Sequence, residues 1–555
     1  MEVQRNKLIL DTIEQLPFVS IIKEFTLLEP FLSGRVSIHF ESLNHPLEFD
    51  VVIYPQYPFK TYDSETIKFI NKDYLPYNHV MEDGVICIHT SHCIDLREKL
   101  IIDFHSLKNW IIKYYIDKEK DQHYEHIIVP QYTFKDNQFT FMFTDVNYGF
   151  KQHQYGFVNL KPISDGLINS QTIINFLTKN FTNPQGKELT SCKWSSIYQN
   201  IPKDYHGIYI FVDQIPAKHN KFIFKNWEDF TYIFKQDFLE FLHRCEKKYK
   251  NKKRNGQLIP LYVGYKISDV EIHWQVALLE IGKFPIEGIK KHQKWSTVLI
   301  KEQITWGISR NSSYKYFFGR GAFSENLVNK KILIIGTGAI GSIIARTLTK
   351  GGCTKIDLCD YDIKEPENVC RSEFQFATGI TDKVEELSNI LSHISPFIEV
   401  GSVNQLCFER IAKALYKDHE SQQELGEFLN SYDLIFDCST DNDLMYILNQ
   451  LELTCDVINM SITNKAQELV CAFYPNIYDF VTKQFSELLD HDSEDLYNPT
   501  GCWSPTFKAS YNDINLLVQY ALKHINQLYR DNLSKNNFVI ETGTEQEYKL
   551  ELKQF

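Results

Sequence analysis

None of the twelve cysteines of this chain pairs with another in a C-x-x-C spacing. Neither a zinc clip nor a disulfide framework is therefore signalled. No uninterrupted apolar run is long enough to span a bilayer. Residues 1–16 lack the apolar core of a secretion signal and read as a charged amphipathic helix with Ile9, Ile13 and Leu16 on one face. An excess of basic charge is missing too: the formal net charge is −12, which disfavours sequence-independent nucleic-acid binding. The one basic run, Lys247-Lys248-Tyr249-Lys250-Asn251-Lys252-Lys253-Arg254, precedes Asn255-Gly256 and reads as a solvated loop. Internal repeats and long low-complexity linkers are absent. These absences point to a cytoplasmic chain with no membrane span and reduced thiols, the setting in which a cysteine can serve as a nucleophile.

A chain of 555 residues exceeds one ordinary core, and the expectation is three domains, all α/β. Residues 1–125 open with the helix, then alternate as strands at Val36–Phe40 and Leu47–Val51. A proline-paced turn follows at Tyr54-Pro55-Gln56-Tyr57-Pro58-Phe59, then Asp83-Gly84-Val85-Ile86-Cys87-Ile88, then a helix with Leu107, Trp110, Ile111 and Tyr114 on one face. Residues 126–300 are rich in aromatics and short strands, such as Phe139–Phe143 and Gly207–Val212, with a helical segment over Trp227–Cys245, and read as a connecting domain. Residues 301–555 carry the clearest chemistry.

There an apolar strand, Ile332–Ile335, runs into Gly336-Thr337-Gly338-Ala339-Ile340-Gly341 and a helix pattern; a second strand, Lys355–Cys359, ends at Asp360-Tyr361-Asp362. This order forms a nucleotide-binding half-sheet, with glycines that let backbone approach phosphate and a helix start that favours negative charge. Gly336, Gly338 and Gly341 are the expected cofactor-binding glycines, and Asp360 suits a ribose hydroxyl. Alone, the pattern serves nicotinamide enzymes as well. Asn368, Arg371 and Lys383 separate the two, because amide and cationic groups suit a triphosphate and hydride transfer has no need of them. Asp441 closes the strand Asp433–Asp437 at the edge where such sheets bind ligands, and a carboxylate there can hold Mg²⁺. The competing reading is a set of surface salt bridges around an ordinary sheet. Cys502, between Gly501 and Trp503, lies close before a helix pattern at Ile514–Leu528, and a helix start favours a thiolate.

Gly336–Gly341, Asp360–Asp362, Asn368-Val369-Cys370-Arg371, Lys383 and Ser439–Asn442 together resemble the ThiF-type adenylating enzymes, over roughly residues 320–475. The resemblance implies a Rossmann-like adenylation domain that binds ATP·Mg²⁺ and adenylates the C-terminal carboxylate of a small protein, commonly as a homodimer. It also implies an arginine from a segment before the sheet, for which Arg310 and Arg320 are candidates. The N-terminal segment is similar to the ubiquitin-conjugating fold: Tyr54-Pro55-x-x-Pro58 is followed by His79, eight positions before Cys87. Val80 and Met81 replace the family's proline and oxyanion-supporting asparagine, which leaves His89, His92 and Cys93 as the local polar candidates.

The whole chain resembles the activating–conjugating fusions of type II CBASS antiphage operons. That resemblance implies Cys502 as the activating thiol, Cys87 as the conjugating thiol, a cGAS-like nucleotidyltransferase as cargo and a target amine as acceptor. A bacterial ubiquitin-like cargo, or a sulfur-carrier adenylyltransferase with an inactive N-terminal adaptor, are the rivals.

Overall fold

The computed structural model describes the chain apart from residue 1 and residues 120–126, 128, 131, 169, 203, 253, 292–293, 404–407, 489–507 and 544–548. Two compact units emerge. One comprises Met1–Lys135, Lys151–Gln154 and Ile210–Ile308; the other comprises Asp136–Phe150, Tyr155–Tyr209 and Ser309–Phe555. Both units take in parts of residues 126–300.

In the first unit, α1 (Glu2–Glu14) packs its Ile9 and Ile13 into the core of a four-stranded antiparallel meander, β1 (Val19–Leu28), β2 (Phe31–Ile38), β3 (Leu47–Ile53) and β4 (Ile67–Ile70). β3 shows the period-two rule: Leu47, Phe49, Val51 and Ile53 are buried, and the residues between them are more exposed. α2 (Leu96–Trp110) starts where the Asp95 carboxylate accepts from the Glu98 N–H at 2.8 Å, a side-chain N-cap. Its Leu100, Phe104, Leu107 and Trp110 close the core. The expected helix over Trp227–Cys245 is two pieces, a short turn at Trp227–Phe230 and a helix at Gln236–Asn251. The basic run is also corrected: Lys247, Lys248 and Lys250 stand exposed in the last turns of that helix, where positive charge complements the helix dipole, and not in a loop.

The second unit is built on an eight-stranded sheet in the order Glu399–Ser402, Lys355–Cys359, Lys331–Ile335, Leu434–Asp437, Asp456–Ile462, Glu468–Phe473, Phe538–Gly543 and Lys549–Gln554. The first five strands are parallel and the rest antiparallel. Alternate residues of Lys331–Ile335 feed opposite cores. Ile332 and Ile334 join Ile343, Leu348 and Leu522, whereas Leu333 and Ile335 join Leu429, Leu444 and Leu448. A strand covered on both faces is apolar throughout, which is why this segment reads as a continuous run. Among the five parallel strands, sequence order runs outward in both directions from a point between Lys331–Ile335 and Leu434–Asp437. That reversal is where open sheets of this kind leave a crevice beyond their carboxyl ends.

Candidate active site

The parallel register aligns the strand ends at this crevice: Ile335 stands opposite both Cys359 and Asp437, and Asp437 opposite Asn459. The residues that follow, Gly336, Asp360 and Ser439–Asp441, therefore share one edge. The three glycines do different work. Gly336 has φ +81°, and a Cβ there would lie 2.7 Å from the backbone of Cys438 and Ser439. A Cβ on Gly341 would lie 1.9 Å from the Gly336 carbonyl oxygen. Both are fixed by chain packing. A Cβ on Gly338 would meet nothing within 4 Å, so the free space beside it is room for a ligand. Gly338 is also the N-cap of the helix Ala339–Lys350 and supplies no side-chain hydrogen bond to it, which suits an anion at that helix start.

Asp360 departs from expectation. It is 9% exposed; its Oδ2 accepts from the Thr337 N–H at 2.7 Å and the Thr337 hydroxyl at 3.0 Å, and its Oδ1 accepts from the Asp362 N–H at 2.9 Å. Asp360 shapes the glycine turn and does not present its carboxylate outward. The outward acid is Asp362, half exposed, whose Oδ2 accepts from Lys383 Nζ at 2.5 Å. Lys383 opens the helix Lys383–Ile394 and is itself buried. Asn368 is engaged locally: its Oδ1 accepts from the Glu365 N–H at 2.9 Å and closes the turn Pro366–Arg371, at whose end Arg371 stands half-buried. Arg310 and Arg320 are both exposed, and Arg310 donates to the Ser309 carbonyl at 2.9 Å.

Asp441 caps the helix Asn442–Gln450, its Oδ1 accepting from the N–H groups of Asp443 at 3.0 Å and Leu444 at 3.1 Å. Its Oδ2 accepts from Lys413 Nζ at 2.8 Å. Burial pushes the Asp441 carboxyl up, but Lys413 and the helix start outweigh it and hold the group below its ordinary value. Behind it Asp437 is fully buried and accepts from the Ser439 hydroxyl at 2.7 Å and from Asn459 Nδ2 at 2.9 Å; burial raises its carboxyl. Thr440 sits at φ +57° between them, a left-handed conformation that non-glycine residues adopt at a cost. A cavity of about 350 Å³ opens here, lined by Asp441, Met445, Asn459, Ser461 and Phe485 among others. No group of three or more metal-ligating side chains occurs among the described residues. Asp441 thus offers a single carboxylate to a cation whose remaining ligands would be phosphate and water.

Cys87 lies in the first unit, on a tight hairpin. Val80 bridges Ile86, the Cys87 N–H donates to the His79 carbonyl at 2.8 Å, and Gly84 turns the chain at φ +89°. The eight-residue spacing of His79 and Cys87 is this hairpin's register. The His79 ring packs on Tyr114, centroids 4.8 Å apart. Cys87 is half-buried, and His89 Nε2 lies 3.5 Å from its Sγ. Cys93 Sγ lies 3.6 Å from the Asp95 carbonyl and 3.5 Å from Glu98, sharing its one hydrogen between them; burial and the Glu98 carboxylate raise its thiol. Cys502 falls outside the described residues. None of the described cysteines is paired with another. No helix among the described residues is long and apolar enough to cross a membrane.

Sequence reasoning missed Lys413, which lies 28 residues from its partner and carries no motif. It also missed Lys221, buried, which donates to the carbonyls of Tyr77 and Val80 beside the Cys87 hairpin. The outward role of Asp362 was hidden because two acids flank Tyr361 equally.

Residues 309–478 match the ThiF family, and residues 123–305 match the Cap2 central linker domain. The ATP-dependent ubiquitin transferase-like protein Cap2 of Enterobacter hormaechei is 23% identical over 62% of this chain and 60% of its own length. The molybdopterin-synthase adenylyltransferase of Escherichia coli is 29% identical over 26% of this chain and 51% of its own. This chain thus spans less than two thirds of either relative. Among solved structures, E. coli MccB with AMPCPP and MccA aligns at a TM-score of 0.30 and 18% identity, over 41% of this chain and 65% of that one.

Proposed function

We propose that this chain, an enzyme of the ubiquitin-activating type whose residues 309–478 belong to the ThiF family and whose residues 123–305 form a Cap2 central linker domain, activates a protein's C-terminal carboxylate with ATP and passes it through two cysteines to an amine. The observation that carries the reading is the crevice at the strand-order reversal. The open side of Gly338, the Asp362–Lys383 pair and Asp441 all stand at that edge. The helix start beyond Gly338 takes phosphate, Asp362 takes a ribose hydroxyl, and Lys383 and Arg371 offset phosphate charge. Asn368 holds the turn that carries Arg371. Asp441 is the residue that would hold Mg²⁺, which supplies Lewis-acid polarisation of the phosphate oxygens.

The cargo carboxylate attacks the α-phosphorus and pyrophosphate leaves. Cys502 Sγ attacks the acyl adenylate and AMP leaves. Cys87 Sγ then takes the acyl group from Cys502, and a target amine takes it from Cys87, each step exchanging one carbon–heteroatom bond for another. The cargo is a cGAS-like nucleotidyltransferase of the same antiphage operon, and the enzyme works as a cytoplasmic homodimer.

ATP–pyrophosphate exchange with that nucleotidyltransferase tests the first step. Exchange should require its intact C-terminus and should survive Cys502→Ala and Cys87→Ala. Cys502→Ala should abolish every thioester, and Cys87→Ala should keep only the first. Exchange that responds only to a ubiquitin-like protein would change the cargo, and product formation unaffected by Cys87→Ala would make the N-terminal segment an adaptor. Absence of exchange with either cargo would remove the reading.

A further inference from the structure

We propose that His89 is a catalytic residue of the conjugating step, taking the proton of the Cys87 thiol, because its Nε2 lies 3.5 Å from Cys87 Sγ on a segment whose backbone is fixed on both sides. The inference rests on the reading of Cys87 as the conjugating thiol.

The placement follows from parity. Ile86 and Ile88 are buried, whereas Cys87 and His89 are not. This alternation of burial puts Cys87 and His89 together on the less buried side of the segment. Before Cys87, the hairpin pins the backbone through its N–H bond to the His79 carbonyl. After His89, Thr90 is held at every polar atom. Its N–H donates to Glu65 at 3.1 Å, its hydroxyl lies 2.9 Å from Glu65 and 2.7 Å from Asp103 and donates its one hydrogen between these carboxylates, Lys99 Nζ donates to its hydroxyl at 2.6 Å, and Lys60 Nζ donates to its carbonyl at 3.2 Å. These contacts hold the backbone on either side of Cys87 and His89.

Two of the neighbouring alternatives are otherwise engaged. The His79 ring packs on Tyr114, and the Cys93 thiol shares its hydrogen between Asp95 and Glu98. His92 is exposed. Among the described residues, the charged and titratable groups near the pair include Lys60, Glu65, Lys99 and Asp103 about Thr90, His79 and Tyr114 across the hairpin, and Cys93, Asp95 and Glu98 at the start of α2.

The step balances without a further reagent. The Sγ–H proton passes to Nε2, which requires the tautomer with its hydrogen on Nδ1. The Sγ electron pair forms the new thioester bond, the donor carbon–sulfur bond breaks, and the leaving thiolate takes the proton back from the imidazolium. A thiol acting without such a base must lose its proton to water, and its reactivity then follows ordinary thiol titration.

The test uses the full chain without cargo. Iodoacetamide alkylation of Cys87, read by peptide mass, is followed from about pH 5.5 to 9 in wild type, His89→Gln and His89→Asn, across the range where imidazoles and free thiols titrate. Wild-type Cys87 should react at pH 7 about tenfold faster than in either variant, with a pH profile that differs from theirs. Both variants should rise only toward about pH 8.5, where free thiols titrate. With cargo and ATP, transfer to Cys87 at pH 7 should fall about a hundredfold in both variants, the scale of a lost general base. Because His89 is exposed, their melting temperatures should match wild type. Superimposable alkylation profiles in wild type and variants would overturn the assignment. Distinct alkylation profiles with no acyl transfer in any of them would instead overturn Cys87 as the conjugating thiol.

Discussion

The Cys87 hairpin and the strand-end crevice keep their charge in opposite places. Beneath the hairpin, Lys99 is 1% exposed and sits between Glu65 Oε2 at 2.9 Å and Asp103 Oδ1 at 2.5 Å, with Tyr57 donating to Asp103 at 2.9 Å. Lys60, which pairs with Glu65 from the outer side, is the exposed member of this cluster. At the crevice the ion pairs lie at the rim instead: Lys413 is 37% exposed where it meets Asp441, and Asp362 is 54% exposed where it meets Lys383. A buried ion cluster is costly to break because a removed partner leaves an uncompensated charge. A rim pair is worth little and changes partner cheaply. The hairpin is therefore built as a fixed platform, and the crevice as a set of charges that an anionic ligand and its cation can re-pair.

The comparison breaks first at Lys99. Lys99→Met should destabilise the first unit by about 3–5 kcal/mol, read by hydrogen exchange of the α2 amides; a cost under about 1 kcal/mol would put this cluster in the rim class. Next come the glycines. Gly341→Ala should cost about 1–3 kcal/mol in denaturant unfolding, since its Cβ would strike the Gly336 carbonyl. Gly338→Ala should leave stability within about 0.5 kcal/mol and weaken ATP binding in calorimetry.

Glu65 sharpens the contrast through pH. Burial pushes its carboxyl up, but Lys60, Lys99 and Thr90 overcome that and hold it at about 2. A carboxyl lowered on folding contributes stability above its unfolded value of about 4.3 and loses it as pH falls. The penalty of Glu65→Gln, measured against wild type, should therefore be full at pH 6 and shrink between about pH 4 and 2. Asp103 moves the other way, because burial raises its carboxyl; the difference between wild type and Glu65→Gln isolates the Glu65 effect. The smallest change is Lys413→Met. It should cost under about 1 kcal/mol of stability and lower the Mg²⁺ concentration needed for half-maximal pyrophosphate exchange.

The parallel strands and the glycine turn were legible because a strand covered on both faces must be apolar and a turn against a neighbouring strand must lack a Cβ. Ile332–Ile335 and Gly336 carry both signals within a few residues. The helix boundary near Ile514 was readable from its apolar period, and Ser510 caps its start. What local pattern could not say was which acid of Asp360-Tyr361-Asp362 turns inward. The choice is made by the Thr337 N–H, which belongs to another strand's exit. Lys413 and Lys221 were illegible for the same reason: their partners are 28 and more than 140 residues away. The split of the Trp227–Cys245 segment was also missed, since apolar period alone does not mark the break between Phe230 and Gln236. His89 stood in the sequence only beside His92 and Cys93 as a local polar candidate, and its place next to Cys87 comes from the folded hairpin.

The central claim is transfer of an activated carboxyl group between two sulfurs of one chain. It is tested most directly by incubating the full chain with ATP, Mg²⁺ and the proposed cargo, a cGAS-like nucleotidyltransferase, then mapping acyl adducts by peptide mass with and without dithiothreitol. The account predicts a dithiothreitol-labile adduct on the Cys87 peptide that requires ATP and vanishes in Cys502→Ala. A Cys87 adduct that persists in Cys502→Ala, or its absence while ATP is turned over to AMP and pyrophosphate, would contradict it.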